Sequence, residues 1–102
     1  MDFPMSVGKE TRITLGGKLD FAKAPKLLDV LATLKGQDIS IIVFECKNLT
    51  YISSSGIRAI VFAQQKIAPN MTIVIEDSCD AVVEILDTCG IADYLEFTTS
   101  KP

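Results

Sequence analysis

Asn48-Leu49-Thr50-Tyr51-Ile52-Ser53-Ser54-Ser55-Gly56-Ile57-Arg58 is the stretch whose reading decides the fold. Ahead of it runs Ile39-Ser40-Ile41-Ile42-Val43-Phe44, a nearly continuous apolar run of mostly β-branched residues. Such a run suits a central strand covered on both faces, or nearly so. Residues 45–51 lead from that strand into the serines. Behind them Ile57, Ile60, Val61 and Ile67 mark the core face of a helix, with Arg58 and Gln65 expected on the exposed side. Serine caps a helix start because its hydroxyl accepts a bond from a free N–H of the first turn. Gly56 lets another surface approach the backbone. The helix therefore begins at Ser54 or Ser55 and runs to Ile67, where Pro69-Asn70 stops it. Hydroxyls are thus placed at the positive end of a helix, where negative charge is tolerated or welcomed.

Working outward, residues 3–7 read as a short edge strand with Pro4 at its start. Gly8-Lys9-Glu10 makes a turn, and Thr11-Arg12-Ile13-Thr14-Leu15 alternates as a half-covered strand does. The two strands form a hairpin, and Gly16-Gly17-Lys18-Leu19-Asp20 follows as a loop. A first helix spans residues 22–35, with Pro25 in its first turn, a stripe of Ala24, Leu27, Leu28, Leu31 and Leu34, and Gly36 as its stop. Beyond the serines, residues 71–75 form another strand. Asp77 or Ser78 caps a third helix that reaches about Cys89. Its inward face is Val82, Ile85, Leu86 and Cys89, its outer face Asp80, Glu84 and Asp87. Gly90 closes that helix, and residues 94–97 add a last edge strand. The order β-β-α-β-α-β-α-β implies an α/β fold. Its sheet is mixed but mostly parallel, of four to five strands, packed with three to four helices in one domain over residues 1–102.

Composition narrows the function. The chain has 102 residues, net charge −3, 48% hydrophobic and 23% charged residues, which describes a globular domain rather than a basic nucleic-acid surface. No apolar run approaches the roughly 20 residues of a membrane helix. Met1-Asp2-Phe3-Pro4-Met5 lacks the basic start and long apolar stretch of a signal peptide, so a cytoplasmic location is expected. The three cysteines, Cys46, Cys79 and Cys89, have no Cys-x-x-Cys spacing and read as reduced thiols. Cys46 ends a buried strand, Cys89 lies on the helix stripe, and Cys79 should be the most exposed. The absence of histidine removes Ser-His-Asp and Cys-His catalysis and most zinc sites, and no cofactor or metal is expected.

The serine loop remains as the candidate site. It follows a central strand, so it sits at the carboxyl edge of the sheet, where open α/β folds place their sites. Three serines exceed what capping needs, and Asn48, Thr50 and Gly56 keep the loop polar. A serine nucleophile needs a base, and without histidine the candidates are Lys18 and Asp20, which the sequence does not bring to it. Phosphorylation asks only for an exposed hydroxyl and a partner kinase. A phosphate carries about −1.5 to −2 charge at neutral pH. At a helix start that charge leaves the fold intact, while a partner docked on the small hydroxyl meets a bulky dianion.

Leu49-Thr50-Tyr51-Ile52-Ser53-Ser54-Ser55-Gly56-Ile57-Arg58-Ala59 resembles the signature loop of the STAS domain, shared by bacterial anti-sigma factor antagonists and sulfate transporters. Gly17-Lys18-Leu19-Asp20 resembles the Gly-Glu-Leu-Asp element of those antagonists. The resemblance covers almost the whole chain and implies the STAS fold. In the family the serine two residues before the glycine takes the phosphate, which here is Ser54. Ser55 falls at a variable Ser/Thr/Ala position. Ser53 and Asn48 stand where many members have aspartate, lowering local negative charge. The resemblance implies a partner-binding surface of Asp20, Ser53, Ser55, Gly56 and Arg58 around Ser54. It also implies the partners: an anti-sigma factor with serine kinase activity, and a metal-dependent serine phosphatase. The ATP and metals belong to those partners, and the chain is substrate and binder rather than enzyme.

Two other readings stand beside that one. A STAS module that never switches, a subunit of a transporter or signalling complex, would keep the fold and need no phosphate. A serine-nucleophile enzyme would need an activated hydroxyl. On the missing base, a fluorophosphonate probe is expected to leave Ser53, Ser54 and Ser55 unlabelled when the chain is mapped by mass spectrometry; an adduct on any of them restores the hydrolase.

Overall fold

Apolar residues at every second position of three consecutive strands decide how the sheet is covered. The computed structural model describes residues 3–67 and 72–99. Its five strands are β1 (Met5–Ser6), β2 (Glu10–Leu19), β3 (Ile41–Ile52), β4 (Thr72–Glu76) and β5 (Glu96–Thr98). The helices are α1 (Ala24–Ala32), α2 (Ser54–Phe62, continued by a π-helical turn Ala63–Ile67) and α3 (Asp80–Thr88). A single 3₁₀ turn, Ala92–Tyr94, precedes β5.

The strands lie in chain order β1-β2-β3-β4-β5, with β1 antiparallel to β2 and every other pair parallel. Right-handed crossovers that step the same way each time deliver their helices to one face. On that face Ile13, Ile42, Phe44, Ile73 and Ile75 form a single core with Leu27 and Leu31 of α1, Ala59 and Ile60 of α2, and Val82 and Leu86 of α3.

The opposite face departs from the expected double cover. Among the described residues it carries no helix, and its side chains include Glu10, Arg12, Thr14, Glu45 and Glu76 with Ile41, Val43 and Val74 between them. Arg12 on β2 donates Nη1 to Glu45 of β3 at 2.8 Å and to Glu76 of β4 at 3.2 Å, and Nε to Glu10 at 2.9 Å. To reach β4 its stem must cross β3 beside Val43, its register partner, which is 3% exposed. The apolar run of β3 was therefore a sound guide to a central strand, but its second cover is an arginine and its carboxylates. Thr14 adds a bond from Oγ1 to Glu45 at 2.8 Å.

Other expectations need correction. Residues 16–19 are strand rather than loop, because β2 follows β3 to Leu19↔Ile52. Two register shifts, between Thr14 and Gly16 and between Gly17 and Lys18, leave extra residues on β3, and Gly17 (φ +66°) takes up the distortion. β3 likewise continues through residues 45–51 to Ile52. α1 is shorter than the expected 22–35: Thr33 turns its hydroxyl onto the Val30 carbonyl at 2.6 Å, and Gly36 (φ +85°) leaves helical space. α3 is capped at Cys79, without a side-chain bond, rather than at Asp77 or Ser78. Asp77 is instead the turn residue, at φ +59°. Cys89 ends α3 and is exposed, not inward. Tyr94 belongs to the 3₁₀ turn, so the last strand starts at Glu96. The expected stop at Pro69-Asn70 and the strand start at Met71 lie outside the described residues.

The Arg12 clamp makes stability depend on acid pH. Glu45 titrates below the usual carboxylate range because the Arg12 guanidinium, then the Thr14 hydroxyl, bond its charged form. A carboxylate depressed in the folded state stabilises above its unfolded value and loses that contribution as pH falls through the folded one. Arg12→Met, which keeps the stem, should cost about 1–2 kcal/mol at pH 7 in urea unfolding, since the pairs form a network but are partly solvated. The gap from the native chain should narrow below pH 4; a gap constant from pH 7 to pH 3 refutes the clamp.

Candidate functional site

The site forms where the ends of β2 and β3 meet the start of α2. Ser53 leaves β3 in an extended conformation (φ −86°, ψ 171°) and is the N-cap of α2. Its Oγ accepts the Gly56 N–H at 3.1 Å and donates to the Leu19 carbonyl at 3.0 Å. The Ser53 N–H reaches the same carbonyl at 2.9 Å, and the Ser53 carbonyl accepts the Ile57 N–H at 2.9 Å. One serine therefore joins the last residue of β2 to the first turn of α2. That is more than an N-cap usually does, since a hydroxyl can accept and donate at once.

Gly56 is needed for space. A Cβ there would stand 2.8 Å from the Leu19 carbonyl oxygen and 2.9 Å from both Leu19 Cγ and Ile52 Cγ1. The helix backbone lies directly on the end of β2, closer than any side chain allows.

Asp20 anchors the other side. Its Oδ1 accepts the N–H groups of Ala22 at 3.1 Å and Lys23 at 3.0 Å, and its carbonyl accepts Ala24 N–H at 2.9 Å. This Asx turn starts α1. The Leu19-Asp20 pair thus holds the starts of two helices, Leu19 that of α2 and Asp20 that of α1. Thr50 Oγ1 donates to the Gly17 carbonyl at 3.0 Å, pinning β3 to β2 where the register shifts.

The three serines are separated by this arrangement. Ser53 is half-buried and fully bonded, Ser55 is half-buried, and Ser54 is exposed as the first residue of α2. Among the described residues the Ser54 hydroxyl has no side-chain hydrogen bond. Arg58 is exposed four residues on. Of the bases considered for a nucleophile, Asp20 is committed to its turn, and Lys18 is exposed on β2 opposite Tyr51. Reading by residue type overlooked Leu19, whose part is played by its backbone, and Phe21, which is 77% exposed one residue past Asp20. A phenylalanine in a turn among Asp20, Ala22 and Lys23 was the available signal. Tyr51, 46% exposed on the strand leading to the serines, is a second aromatic at this edge.

Of the cysteines, Cys79 reaches this edge, its Sγ donating to the Leu49 carbonyl at 3.6 Å. Cys46 is buried, and that burial pushes its thiol up to about 12, so it stays protonated. Among the described residues no group of three metal-ligating side chains gathers, and no helix is long and apolar enough to cross a membrane.

The STAS domain family model matches residues 6–101, and the chain belongs to that family. The fold agrees. The phosphorylated form of the Bacillus cell fate determinant SpoIIAA superposes with a TM-score of 0.74 at 15% identity, over 96% of this chain and 92% of that one. An anti-sigma factor antagonist from Mycobacterium paratuberculosis gives 0.81 at 11% identity, over 94% and 83%. A sulfate transporter family protein from Wolinella succinogenes gives 0.74 at 15%, over 88% and 76%. At these identities the likeness is one of fold. Sequence comparison with curated proteins gave no significant match.

The close approach at Gly56 sets a steric test. Gly56→Ala should destabilise by about 2 kcal/mol net, the overpacking outweighing the gain in helix propensity. Ser53→Ala should cost about 1–2 kcal/mol through the lost cap. Chemical denaturation measures both, and a neutral Gly56→Ala would show that α2 does not sit on Leu19.

Proposed function

We propose that this STAS domain is a cytoplasmic anti-sigma factor antagonist that switches partners through phosphorylation of Ser54. Unmodified, it binds an anti-sigma factor of kinase fold and so frees a sigma factor for transcription. The observation that carries this reading is the division of labour in the serine loop. Ser53 and Gly56 are consumed in building it, while Ser54 stands exposed and unbonded at the start of α2.

The chemistry asks little of this chain. Ser54 Oγ attacks the γ-phosphorus of ATP held by the partner kinase. An O–P bond forms, the bond to the bridging oxygen breaks, ADP leaves, and the hydroxyl proton passes to a base of the kinase. The chain supplies a nucleophile on a rigid platform, with free backbone N–H groups of the first turn beside it to stabilise the added charge. A serine phosphatase resets the switch. In this reading the chain is substrate and binder rather than enzyme, in keeping with an Asp20 carboxylate already held by two N–H groups.

Ser55 and Arg58 extend the face that a partner meets. Asp20, Ser53 and Gly56 act on it from beneath, by fixing the loop. Exposed Phe21 and Tyr51 give the same edge apolar area of the kind that anchors interfaces.

A second reading is favoured by one residue. Ser53 stands where aspartate is common in phosphorylated members, so a kinase reading that carboxylate would pass this loop by. The domain would then be a permanent adaptor, and the Wolinella succinogenes protein shares its fold. Incubation with the cognate kinase and ATP separates the two. The native chain should gain about 80 Da, one phosphoryl group of the kind that adds −1.5 to −2 charge. Ser54→Ala should gain none, and equal modification of that variant would refute the assignment. Ser54→Asp should fold normally and bind the partner at least tenfold more weakly.

A further inference from the structure

We propose that Arg58 is the intramolecular partner of a phosphate on Ser54, holding it along the exposed face of α2. The proposal deepens the switch reading, since it concerns a phosphate at that serine.

The geometry comes from the helix. Ser54 is the first residue of α2 and Arg58 is four residues on, so the two share one face a single turn apart. Long side chains in a helix lean back towards its N-terminus. The Arg58 stem therefore leans over the turn that begins at Ser54. An acidic group placed N-terminal to a basic one at this spacing is the favourable order. A guanidinium also meets phosphate oxygens in a two-pronged fashion that an ammonium cannot.

Neither group is otherwise engaged. Both are exposed, and among the described residues neither makes an ion pair or a side-chain hydrogen bond. Arg12, by contrast, is bound to three carboxylates on the far face. The elements packed against α2 carry other titratable groups, among them Lys18, Asp20 and Lys23 of β2 and its turn, Tyr51 of β3, neutral at these pH values, and Lys26 and Asp29 of α1. Asp20 is turned into its own N–H groups. The Lys23 ammonium lies over Gly17, 3.8 Å from where a Cβ would stand. Arg58 is the cation whose spacing places it beside Ser54.

The consequence is a larger switch than the phosphate alone would make. The bare face presents the positive charge of Arg58 to a partner. With the phosphate in place the guanidinium is turned inward along the helix and the face becomes net negative. One modification then both adds a dianion and withdraws a cation.

Phosphoserine installed at position 54 of the full chain by genetic incorporation tests this without a kinase. The readout is the second phosphate ionisation, followed by ³¹P NMR from pH 4 to 8.5. In the native chain its midpoint should lie about 0.3–0.5 pH below that of Arg58→Gln, a two- to threefold change in the constant. The gap should shrink in 0.5 M salt. Lys18→Gln should titrate like the native chain. Without phosphate, Arg58→Gln should melt within about 2 °C of the native chain, because the side chain is exposed. Native and Arg58→Gln chains with the same midpoint would overturn the proposal, as would an equal change in Lys18→Gln. If a kinase failed to modify Ser54, the switch reading would fall while this titration would still report on the pair.

Discussion

The Leu19 carbonyl oxygen is the point on which the rest of the site depends. It takes two donors from Ser53, the N–H at 2.9 Å and the hydroxyl at 3.0 Å, and Gly56 is pressed against it. These contacts form only if β2 and β3 run side by side to their very ends. That extended pairing needs the two extra residues on β3 and the left-handed Gly17 opposite them. It also needs the chain to turn towards α1 immediately after Leu19, which Asp20 secures by gathering the N–H groups of Ala22 and Lys23. Long strands, bulges, Asx turn and cap thus form one chain of requirements ending at the start of α2. A buried carbonyl with two donors is also well satisfied, so the junction stores no unmet polar group.

Much of this was legible because the signals were local. Helical spacing in Leu27 and Leu31, and in Val82 and Leu86, marked buried faces correctly, as each stripe meets the same core. The serine-glycine run marked the strand-to-helix turn, with the helix starting at Ser54 and its helical continuation reaching Ile67. What was missed depended on pairing across the sheet. Residues 16–19 carry two glycines and a lysine, which read as loop; they are strand because β3 extends beside them. The open sheet face was hidden for a similar reason. Val43 is apolar and buried, yet its cover is an arginine on the neighbouring strand reaching for carboxylates on two others, a contact with no periodicity to reveal it. Cys89 was misplaced because the stripe of α3 was carried past the last helical residue, Thr88, onto its exposed C-cap.

Serine at position 53 makes a bond that an aspartate there could not. A carboxylate can cap the Gly56 N–H as well as a hydroxyl does, but ionised it has no proton to give. Here the capping oxygen is also 3.0 Å from the Leu19 carbonyl. Two acceptors at that distance repel, whereas a hydroxyl donates across the gap. With serine, the loop closes through a neutral hydrogen bond. With aspartate, the same closure would require the side chain to turn away from Leu19 and leave that carbonyl to the Ser53-position N–H alone. In this chain serine at position 53 belongs to the way β2 is tied to α2.

The same reasoning explains how three adjacent serines come to differ so sharply. A cap residue is extended and faces back across the strand ends, so Ser53 points into the junction. The next residue begins the helix, and each residue after it turns by about 100°, since 3.6 residues complete a turn. Ser54 therefore swings to solvent, Ser55 is carried part of the way back, and Gly56 arrives against Leu19, where a side chain has no room. Two further residues bring Arg58 round to the side on which Ser54 stands. Exposure of the one hydroxyl and burial of its neighbours are thus a single geometric fact. The tighter Ser53 and Gly56 hold the helix start, the more narrowly Ser54 is fixed in space, and that is the quality the phosphorylation proposed for it requires.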